Sequence, residues 1–214
     1  MIDLHSHTTE SDGTYSPSDL ISAAVEARLE ALAITDHDTL TGYEQALPYA
    51  NDAGLTLVCG IEVSTALGNP RRRTVHLLGY FPSAPAQEFR EWILKMQAAR
   101  RDRNKRLAVR LQSLGIDIHL EEVEALGRSL AGRPHFARLM LQKGYVANMQ
   151  EAFDRYLDES APGYVEREEP SLEEGIRRVN EAGGVSSLAH PIRLGKRDPE
   201  DEEELIAEIA GMGL

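Results

Sequence analysis

Residues 2–14 read IDLHSHTTESDGT, a short apolar strand that opens directly into two histidines and an Asp-Gly turn. Side chains at positions i and i+2 of a strand point to the same face, so His5 and His7 can converge on one ion. Asp12 follows in a Ser-Asp-Gly turn, where an aspartate commonly caps the backbone. Each of these residues alone has an ordinary explanation, and the rest of the chain decides whether they act together.

Short apolar strands alternate with helices on both sides of a central stretch. Strands are predicted over 2–5, 31–35, 55–63, 74–81 and 185–189, and helices over about 16–29, 42–53, 171–182 and 200–210. Two of the helix starts carry the capping-box pattern, Ser16 with Asp19 and Ser171 with Glu174. Strands separated by helices of this length predict βα units, a parallel sheet and the α/β fold class.

The strand pattern is interrupted over residues 84–160. A long arginine-rich helix is predicted over 86–114, ending at Gly115, with shorter helices near 119–127, 134–143 and 148–157. We therefore predict a first part of the α/β domain over 1–83, a helical insertion lobe over 84–160 and a second part of the domain over 161–214. We expect the lobe to cover the carboxyl ends of the strands.

Charge is unevenly distributed along the chain, whose net charge is −12 and whose pI is about 5.0. Residues 71–138 nevertheless carry fourteen Lys or Arg against seven Asp or Glu. The acidic total argues against a general nucleic-acid coat and against duplex DNA as a partner. The basic stretch predicts either a local anion site or a solvated helix face, and charge alone does not separate these two.

Several classes of protein are disfavoured by composition. No apolar run approaches 18 residues, and the first residues lack the basic and apolar regions of a secretory signal. The single cysteine, Cys59, cannot form an internal disulfide. We therefore expect a cytoplasmic protein without a membrane partner; the sequence makes no prediction about oligomeric state.

Histidine or a carboxylate stands at or near the end of nearly every predicted strand. Beyond the first strand these are His37 with its neighbours Asp36 and Asp38, then Glu62, His76 and His190. Each is weak evidence alone; His76, for example, would ordinarily be a hydrogen-bonded core histidine. The carboxyl ends of parallel strands meet at one edge, where ligands bind. Together the residues predict a metal cluster, and imidazole and carboxylate ligands suit Zn, Mn or Fe.

Five stretches resemble the PHP (polymerase and histidinol phosphatase) family of metal-dependent phosphoesterases. They are HSHTTESDGT (5–14), ITDHDT (34–39), GIEVS (60–64), VHLLGY (75–80) and LAHP (188–191). The resemblance extends into the lobe through GRPH (132–135), which is similar to the branch acting on 3′,5′-nucleoside bisphosphates and short RNA 5′ ends. It implies a distorted seven-stranded (β/α) barrel.

The resemblance also implies a set of metal ligands for up to three divalent ions, often manganese, with zinc or iron accepted. By this resemblance, His5 and His7 bind the first ion, Asp12 and His37 the second, and His76 and His190 the third, while Glu62 bridges the first and third. Asp36 and Asp38 would orient His37 without binding the metal themselves.

One feature of the family pattern is missing. The pattern continues with a further strand and an Asp-x-His that completes the first two metal sites, whereas this chain has no Asp-x-His after His190. The resemblance therefore implies a barrel that lacks its last strand or strands. We expect the third ion, held by Glu62, His76 and His190, to be bound best.

The function that these observations favour is metal-dependent hydrolysis of a phosphate ester, with no side chain acting as nucleophile. The substrate class is a small nucleotide bearing two phosphates or a short RNA 5′ end. Arg133, His135 and Arg193 are the candidate phosphate contacts, since guanidinium matches phosphate geometry; an ordinary surface role is the alternative for each. Histidinol phosphatase chemistry and a non-catalytic phosphate-binding or scaffolding module are the alternative functions.

Overall fold

A computed structural model describes residues 1–68, 73–127, 130–194 and 198–214. The strands are β1 (Ile2–Ser6), β2 (Ala31–Ile34), β3 (Thr56–Leu67), β4 (Arg73–Phe81) and β5 (Val185–Leu188). The helices are α1 (Pro17–Glu26), α2 (Thr41–Ala53), α3 (Gln87–Ser113), α4 (Leu120–Gly127), α5 (Arg133–Gln142), α6 (Met149–Ala152), α7 (Leu172–Glu181) and α8 (Pro199–Gly211). Within these ranges, no helix combines the length and apolar character needed to cross a bilayer.

The five strands form one sheet in the order β1-β2-β3-β4-β5. β1, β2 and β3 are parallel, as predicted, but β4 is antiparallel to both of its neighbours. The prediction of a wholly parallel sheet was therefore wrong at β4. Only five residues separate Leu67 from Arg73, too few for the crossover that a parallel neighbour needs. The α/β fold class is confirmed.

The two capping boxes begin helices as predicted. Ser16 precedes α1 and its hydroxyl accepts a hydrogen bond from the Asp19 amide at 3.2 Å, with Pro17 in the first turn. Ser171 precedes α7 and accepts from the Glu174 amide at 3.1 Å. Each cap satisfies one of the amides that a helix start leaves without a partner, which explains why both helices begin where they do.

Apolar side chains form two separate buried clusters. The first lies between the sheet and helices α1, α2 and α7, and includes Phe89 and Ile93 from the first half of α3. The second lies among the later helices, from Leu107 in the second half of α3 to Leu157. Helix α3 therefore belongs to both clusters and joins them. The segment limits 1–83, 84–160 and 161–214 stay a prediction.

Helix α3 carries arginine on two faces with different surroundings. Arg100 and Arg103 are buried, at 7% and 6% exposure, in line with Leu107 and the apolar residues before them. Arg101 and Arg106 lie on the outer face, where they pair with Glu124 and Asp102. The solvated helix face therefore applies to the outer side of α3, and the local anion site stays a prediction for the inner side.

Candidate metal centre

Glu62 is the centre of the site and is only 1% exposed. Its Oε2 atom lies 3.0 Å from His5 Nε2, 3.0 Å from His7 Nε2 and 3.6 Å from His37 Nδ1. Its Oε1 atom lies 2.9 Å from His76 Nδ1 and 2.8 Å from His190 Nε2. All five histidines predicted as metal ligands therefore surround one carboxylate.

The five imidazoles form a closed ring around Glu62. In the order 5, 7, 37, 76, 190 and back to 5, neighbouring ring centroids are 4.7–5.9 Å apart. His5 lies in β1, and His37 follows β2 and forms a parallel bridge with Glu62 of β3. His76 is in the middle of β4, opposite Ser64, rather than at a strand end. The antiparallel register of β4 is what brings it to the edge shared by the other four.

Asp12 joins the ring through a tight turn. Its Oδ1 atom lies 3.6 Å from His7 Nδ1 and its Oδ2 atom 3.6 Å from His37 Nε2. The turn folds back so closely that a Cβ on Gly13 would lie 2.2 Å from the His7 carbonyl oxygen, so only glycine fits there. The carboxylate of Asp12 is therefore held on the outer side of His7 and His37.

Three groups of side chains have the geometry to hold a metal ion, each with its ligand atoms within 4.8 Å of one another. They are His5, His7 and Glu62; His7, Asp12 and His37; and His37, Glu62 and His76. The first matches the predicted first site, the second adds His7 to the predicted pair, and the third has His37 where His190 was expected. His37 Nδ1 is buried without a hydrogen-bond partner among the described residues, and an ion would supply one.

The pKa values of the site follow from burial and proximity. Burial alone would raise the pKa of Glu62, but hydrogen bonds from His5, His7 and His76 outweigh it and hold that pKa well below its usual range. Burial lowers the pKa of His37 to about 3, so its imidazole is neutral and keeps a lone pair for coordination. Burial also opposes protonation of His7, but Glu62 and Asp12 outweigh it and raise its pKa.

The carboxylates of Asp36 and Asp38 accept hydrogen bonds from residues other than His37, and the idea that these two residues orient His37 stays a prediction. Asp36 accepts from the Thr8 amide at 2.6 Å, the Thr8 hydroxyl at 2.7 Å and the Ser11 hydroxyl at 2.7 Å, which fixes the loop after β1. Backbone hydrogen bonds hold the residues on either side of His37 against β3. The Glu62 amide donates to the Asp36 carbonyl, and the Asp38 amide donates to the Glu62 carbonyl. Each carboxylate is turned away to a different neighbour.

Asp38 is the centre of a second buried network. It is 0% exposed and accepts from the Ser64 amide at 2.7 Å, from Arg100 Nη2 at 2.5 Å and from Arg167 Nη1 at 3.2 Å. Arg167 also pairs with Glu169 at 2.6 Å. Burial would raise the pKa of Asp38, but the two guanidiniums hold it well below its usual range. The network connects α3 and the segment before α7 to β3 and to the residue that follows His37.

One cavity of about 380 Å³ lies between the two networks. Its lining includes Asp12, His37 and His76 from the histidine ring, and four arginines, Arg100, Arg103, Arg133 and Arg167. A second cavity, of about 520 Å³, is lined by His76, His190 and Arg133 and by Asp158 and Glu159. The helical segment therefore faces the edge of the sheet that carries the histidines.

The three predicted phosphate contacts have different surroundings. Arg133 lines both cavities; its Nη1 donates to the Leu157 carbonyl at 3.2 Å, and its guanidinium lies 5.8 Å from the Tyr164 ring centre. His135 does not line either of them, because its Nδ1 accepts from the Gly132 amide at 3.1 Å and caps α5. The side chain of Arg193 lies outside the described residues.

Arg100, Arg103 and Arg167 line the cavity, and sequence reasoning missed all three. A signal existed for the first two. Counting along α3 by steps of three or four residues gives Phe89, Ile93, Met96, Arg100, Arg103, Leu107 and Leu111, which are all buried. Arginine at two positions of an apolar stripe indicates a buried charge with a specific purpose. Arg167 carries no comparable signal, because it lies in a loop between helices.

The sequence and the fold are both similar to those of known proteins. The sequence model of the PHP domain family matches residues 3–168. The 5′-3′ exoribonuclease of Haemophilus influenzae is 32% identical over 191 residues, covering 89% of this chain and 69% of that protein. The 3′,5′-nucleoside bisphosphate phosphatase of Chromobacterium violaceum is 33% identical over 196 residues, covering 90% and 67%. A Bifidobacterium adolescentis structure assigned as a metal-dependent phosphoesterase superimposes with a TM-score of 0.83 at 31% identity, covering 96% and 73%. The chain thus spans about two thirds of the length of these curated relatives.

Proposed function

The chain belongs to the PHP domain family, and from that premise we propose that it is a metal-dependent phosphoesterase acting on nucleotides. The observation that supports this most directly is the ring of five imidazoles around the Glu62 carboxylate. Neutral imidazole and carboxylate are the donors that Mn, Zn and Fe accept in proteins. Burying six ionisable side chains together is costly, and a stable core does not need them. Metal binding explains why they are there.

The proposed ligands follow the groups defined by distance. His5, His7 and Glu62 would hold one ion, and Asp12 and His37, with His7 beside them, a second. Glu62 and His76 would hold a third together with His190, whose Nε2 lies 2.8 Å from Glu62 Oε1, or with His37. Bound ions would lower the pKa of a coordinated water, neutralise phosphate charge and align the attacking and leaving oxygens.

The chain's own groups prepare this site. Glu62 is held ionised and has both oxygens directed at the ring, so it can serve more than one ligand position. Asp36 fixes the loop that carries His7 and Asp12. Arg133 lies beside His76 in both cavities and offers a guanidinium to a phosphate oxygen.

We further propose a substrate with phosphate at the 3′ and 5′ positions of a nucleotide, or the 5′ end of a short RNA. Two curated relatives support this, one a 5′-3′ exoribonuclease and the other a 3′,5′-nucleoside bisphosphate phosphatase. Residues 132–135 also resemble the branch of the family that acts on such substrates. The arginine-lined cavity beside the histidine ring supplies the positive charge such a substrate needs.

The test is hydrolysis by purified protein, first stripped of metal and then supplied with Mn, Zn or Fe. We expect metal-dependent release of phosphate from a nucleoside 3′,5′-bisphosphate, or shortening of a 5′-phosphorylated RNA, with histidinol phosphate as the competing substrate. Metal content is counted in parallel, and Glu62→Gln serves as the inactive control. Faster turnover of histidinol phosphate would overturn the substrate proposal. Metal or phosphate binding without any turnover would favour the non-catalytic module.

A further inference from the structure

His37 is the one member of the histidine ring whose side chain makes no hydrogen bond among the described residues. Its Nδ1 atom lies 3.6 Å from Glu62 Oε2 and its Nε2 atom 3.6 Å from Asp12 Oδ2, beyond hydrogen-bond distance. The other four imidazoles each hydrogen-bond to a neighbouring side chain. The position of the His37 imidazole therefore depends on packing and on the backbone that carries it.

The residue that follows His37 has an unusual backbone conformation. Asp38 has a φ of 53°, in the left-handed region that residues with a side chain seldom adopt. The other non-glycine residues with positive φ in the described ranges are Arg28 and His190. Two of the three are thus a ring histidine or its neighbour. Such a conformation persists where the surrounding contacts hold it, and it is frequent at functional sites.

The contacts that hold Asp38 engage every one of its polar groups. Its amide donates to the Glu62 carbonyl at 3.0 Å, and its carbonyl accepts from Gln97 Nε2 at 2.8 Å. Its Oδ1 atom accepts from the Ser64 amide at 2.7 Å, and its Oδ2 atom accepts from Arg100 Nη2 at 2.5 Å. Two of these partners belong to β3 and two to α3. The left-handed residue is therefore fixed between the sheet and α3.

Two buried arginines of α3 differ in whether they touch Asp38. Arg100 and Arg103 are 7% and 6% exposed, and both line the cavity beside the histidine ring. Arg100 binds Asp38 and also donates to Ser64 Oγ at 3.0 Å, so one guanidinium joins α3 to Asp38 and to β3. Arg103 has no ion pair or hydrogen bond with Asp38. The pair therefore offers a matched comparison within one helix face.

We propose that Asp38 is a positioning residue for His37, and that Arg100 holds Asp38 in the conformation this requires. Because the residues on both sides of His37 are bonded to β3, its imidazole reaches the space between Glu62 and Asp12 without a hydrogen bond of its own. The inference rests on the proposed function for the presence of a metal ion. It adds that the affinity for this ion depends on how α3 packs against the sheet.

The first experiment measures metal affinity in two variants that remove the same charge. Mn²⁺ is titrated into metal-free Arg100→Gln and Arg103→Gln in competition with a chromophoric chelator and without phosphate. Losing a positive charge near the ring should by itself tighten cation binding, because it removes repulsion. We instead expect Arg100→Gln to bind Mn²⁺ roughly 10- to 100-fold more weakly than the wild type, as when a group that orients a metal ligand is lost.

The control variant decides how this result is interpreted. Arg103→Gln should bind Mn²⁺ no more weakly than the wild type, since it leaves the contacts of Asp38 in place. Binding by Arg100→Gln that equals or exceeds that of the wild type would overturn the proposal. Equal weakening in both variants would also overturn it, because the effect would then belong to the helix face as a whole.

The second experiment needs no metal. Amide hydrogen exchange is followed by NMR in the metal-free protein, and the Asp38 amide is compared with the Thr35 amide, which donates to a β1 carbonyl at 2.8 Å. We expect Arg100→Gln to accelerate exchange at Asp38 roughly tenfold relative to Thr35, through local opening beside His37. Arg103→Gln should leave this ratio unchanged. A general loss of stability would accelerate both amides together, and an unchanged ratio in Arg100→Gln would refute the positioning role.

The two experiments separate failure of the inference from failure of the proposed function. If the wild type binds no Mn²⁺ and hydrolyses no nucleotide, the proposed function is wrong, and the exchange comparison alone decides the positioning role. If the wild type binds Mn²⁺ and Arg100→Gln changes neither readout, the inference is wrong and the proposed function stands. Should Arg100→Gln fail to fold, Arg100→Lys keeps the charge but loses the planar fork shared by Asp38 and Ser64, and the same outcomes apply.

Discussion

Glu62 and Asp38 are two buried carboxylates near the same edge of the sheet, and their partners differ. Glu62, 1% exposed, faces five imidazoles at 2.8–3.6 Å. Asp38, 0% exposed, faces two guanidiniums and the Ser64 amide. Both carry negative charge deep in the protein, and in both the surrounding groups lower the pKa of the carboxyl.

The difference lies in whether the partner can be exchanged. A guanidinium is permanently charged and does not bind metal ions. The ion pairs of Asp38 with Arg100 and Arg167 therefore persist and connect the strands to α3. An imidazole can give up its proton and turn a lone pair to a metal, so the contacts of Glu62 can be replaced. The same edge therefore combines one permanent connection with one exchangeable site.

The largest effect that would separate the two carboxylates is on activity. Glu62→Gln removes the charge that the proposed ligands share, and we expect metal-dependent hydrolysis to fall by more than about 10³-fold, since metal assistance contributes several kcal/mol. Without metal, the free energy of unfolding should fall less in Glu62→Gln than in Asp38→Asn at pH 8. Activity and metal content, measured side by side, check this; wild-type turnover in Glu62→Gln would show that Glu62 is not needed.

The next effect is on stability. Asp38→Asn leaves Arg100 and Arg167 buried without their shared counter-ion, and we expect the free energy of unfolding to fall by about 3–5 kcal/mol. Urea denaturation measures the change. Asp102→Asn is the matched control, because it breaks the exposed pair with Arg106 and should cost less than about 1 kcal/mol. Equal losses in the two variants would mean that the buried network is no more important than a surface pair.

A smaller effect is expected at the junction of the two cavities. Arg133→Ala should weaken binding of phosphate substrates by roughly 1.5–3 kcal/mol, the value of a hydrogen bond to a charged partner, while metal content stays unchanged. Substrate kinetics and metal analysis together check this. Unaltered KM and kcat on a 3′,5′-bisphosphate would show that Arg133 does not contact the substrate.

The smallest effect concerns acid. Because the pKa of folded Asp38 lies below that of the unfolded chain, its stabilising contribution is present above the unfolded pKa of about 3.9 and is lost as pH falls further. We therefore expect the stability difference between the wild type and Asp38→Asn to narrow below about pH 4. Urea denaturation at several pH values measures it, and a constant difference would contradict the assignment of the charge to Asp38.

The sequence predicted the members of the histidine ring well. His5, His7, His37 and His190 lie in or directly after strands that run in one direction, and the carboxyl ends of such strands must meet. The strand-end argument does not apply to His76, because β4 is antiparallel to its neighbours and His76 lies in the middle of it. Resemblance to the PHP pattern, rather than the strand-end rule, identified it.

The arginine network could not be predicted in the same way. Arg100 and Arg103 are 62 and 65 positions after Asp38 in sequence, and Arg167 is 129 positions after it, so no local pattern relates them. Their burial in the α3 stripe was readable, but their partners were not. Which carboxylate each arginine meets depends on how the helices between β4 and β5 pack against the sheet.

Sequence alone determined the α/β class and the helix starts at Ser16 and Ser171, because backbone periodicity and capping are local properties. The histidine and carboxylate set followed from the strand ends together with the resemblance to the PHP pattern. Tertiary structure alone decided the direction of β4, the partners of the Asp36 and Asp38 carboxylates, and the position of Arg100, Arg103 and Arg167 beside the histidine ring. These depend on which side chains meet across long sequence distances, and burial strengthens the interaction of two charges only after they have met.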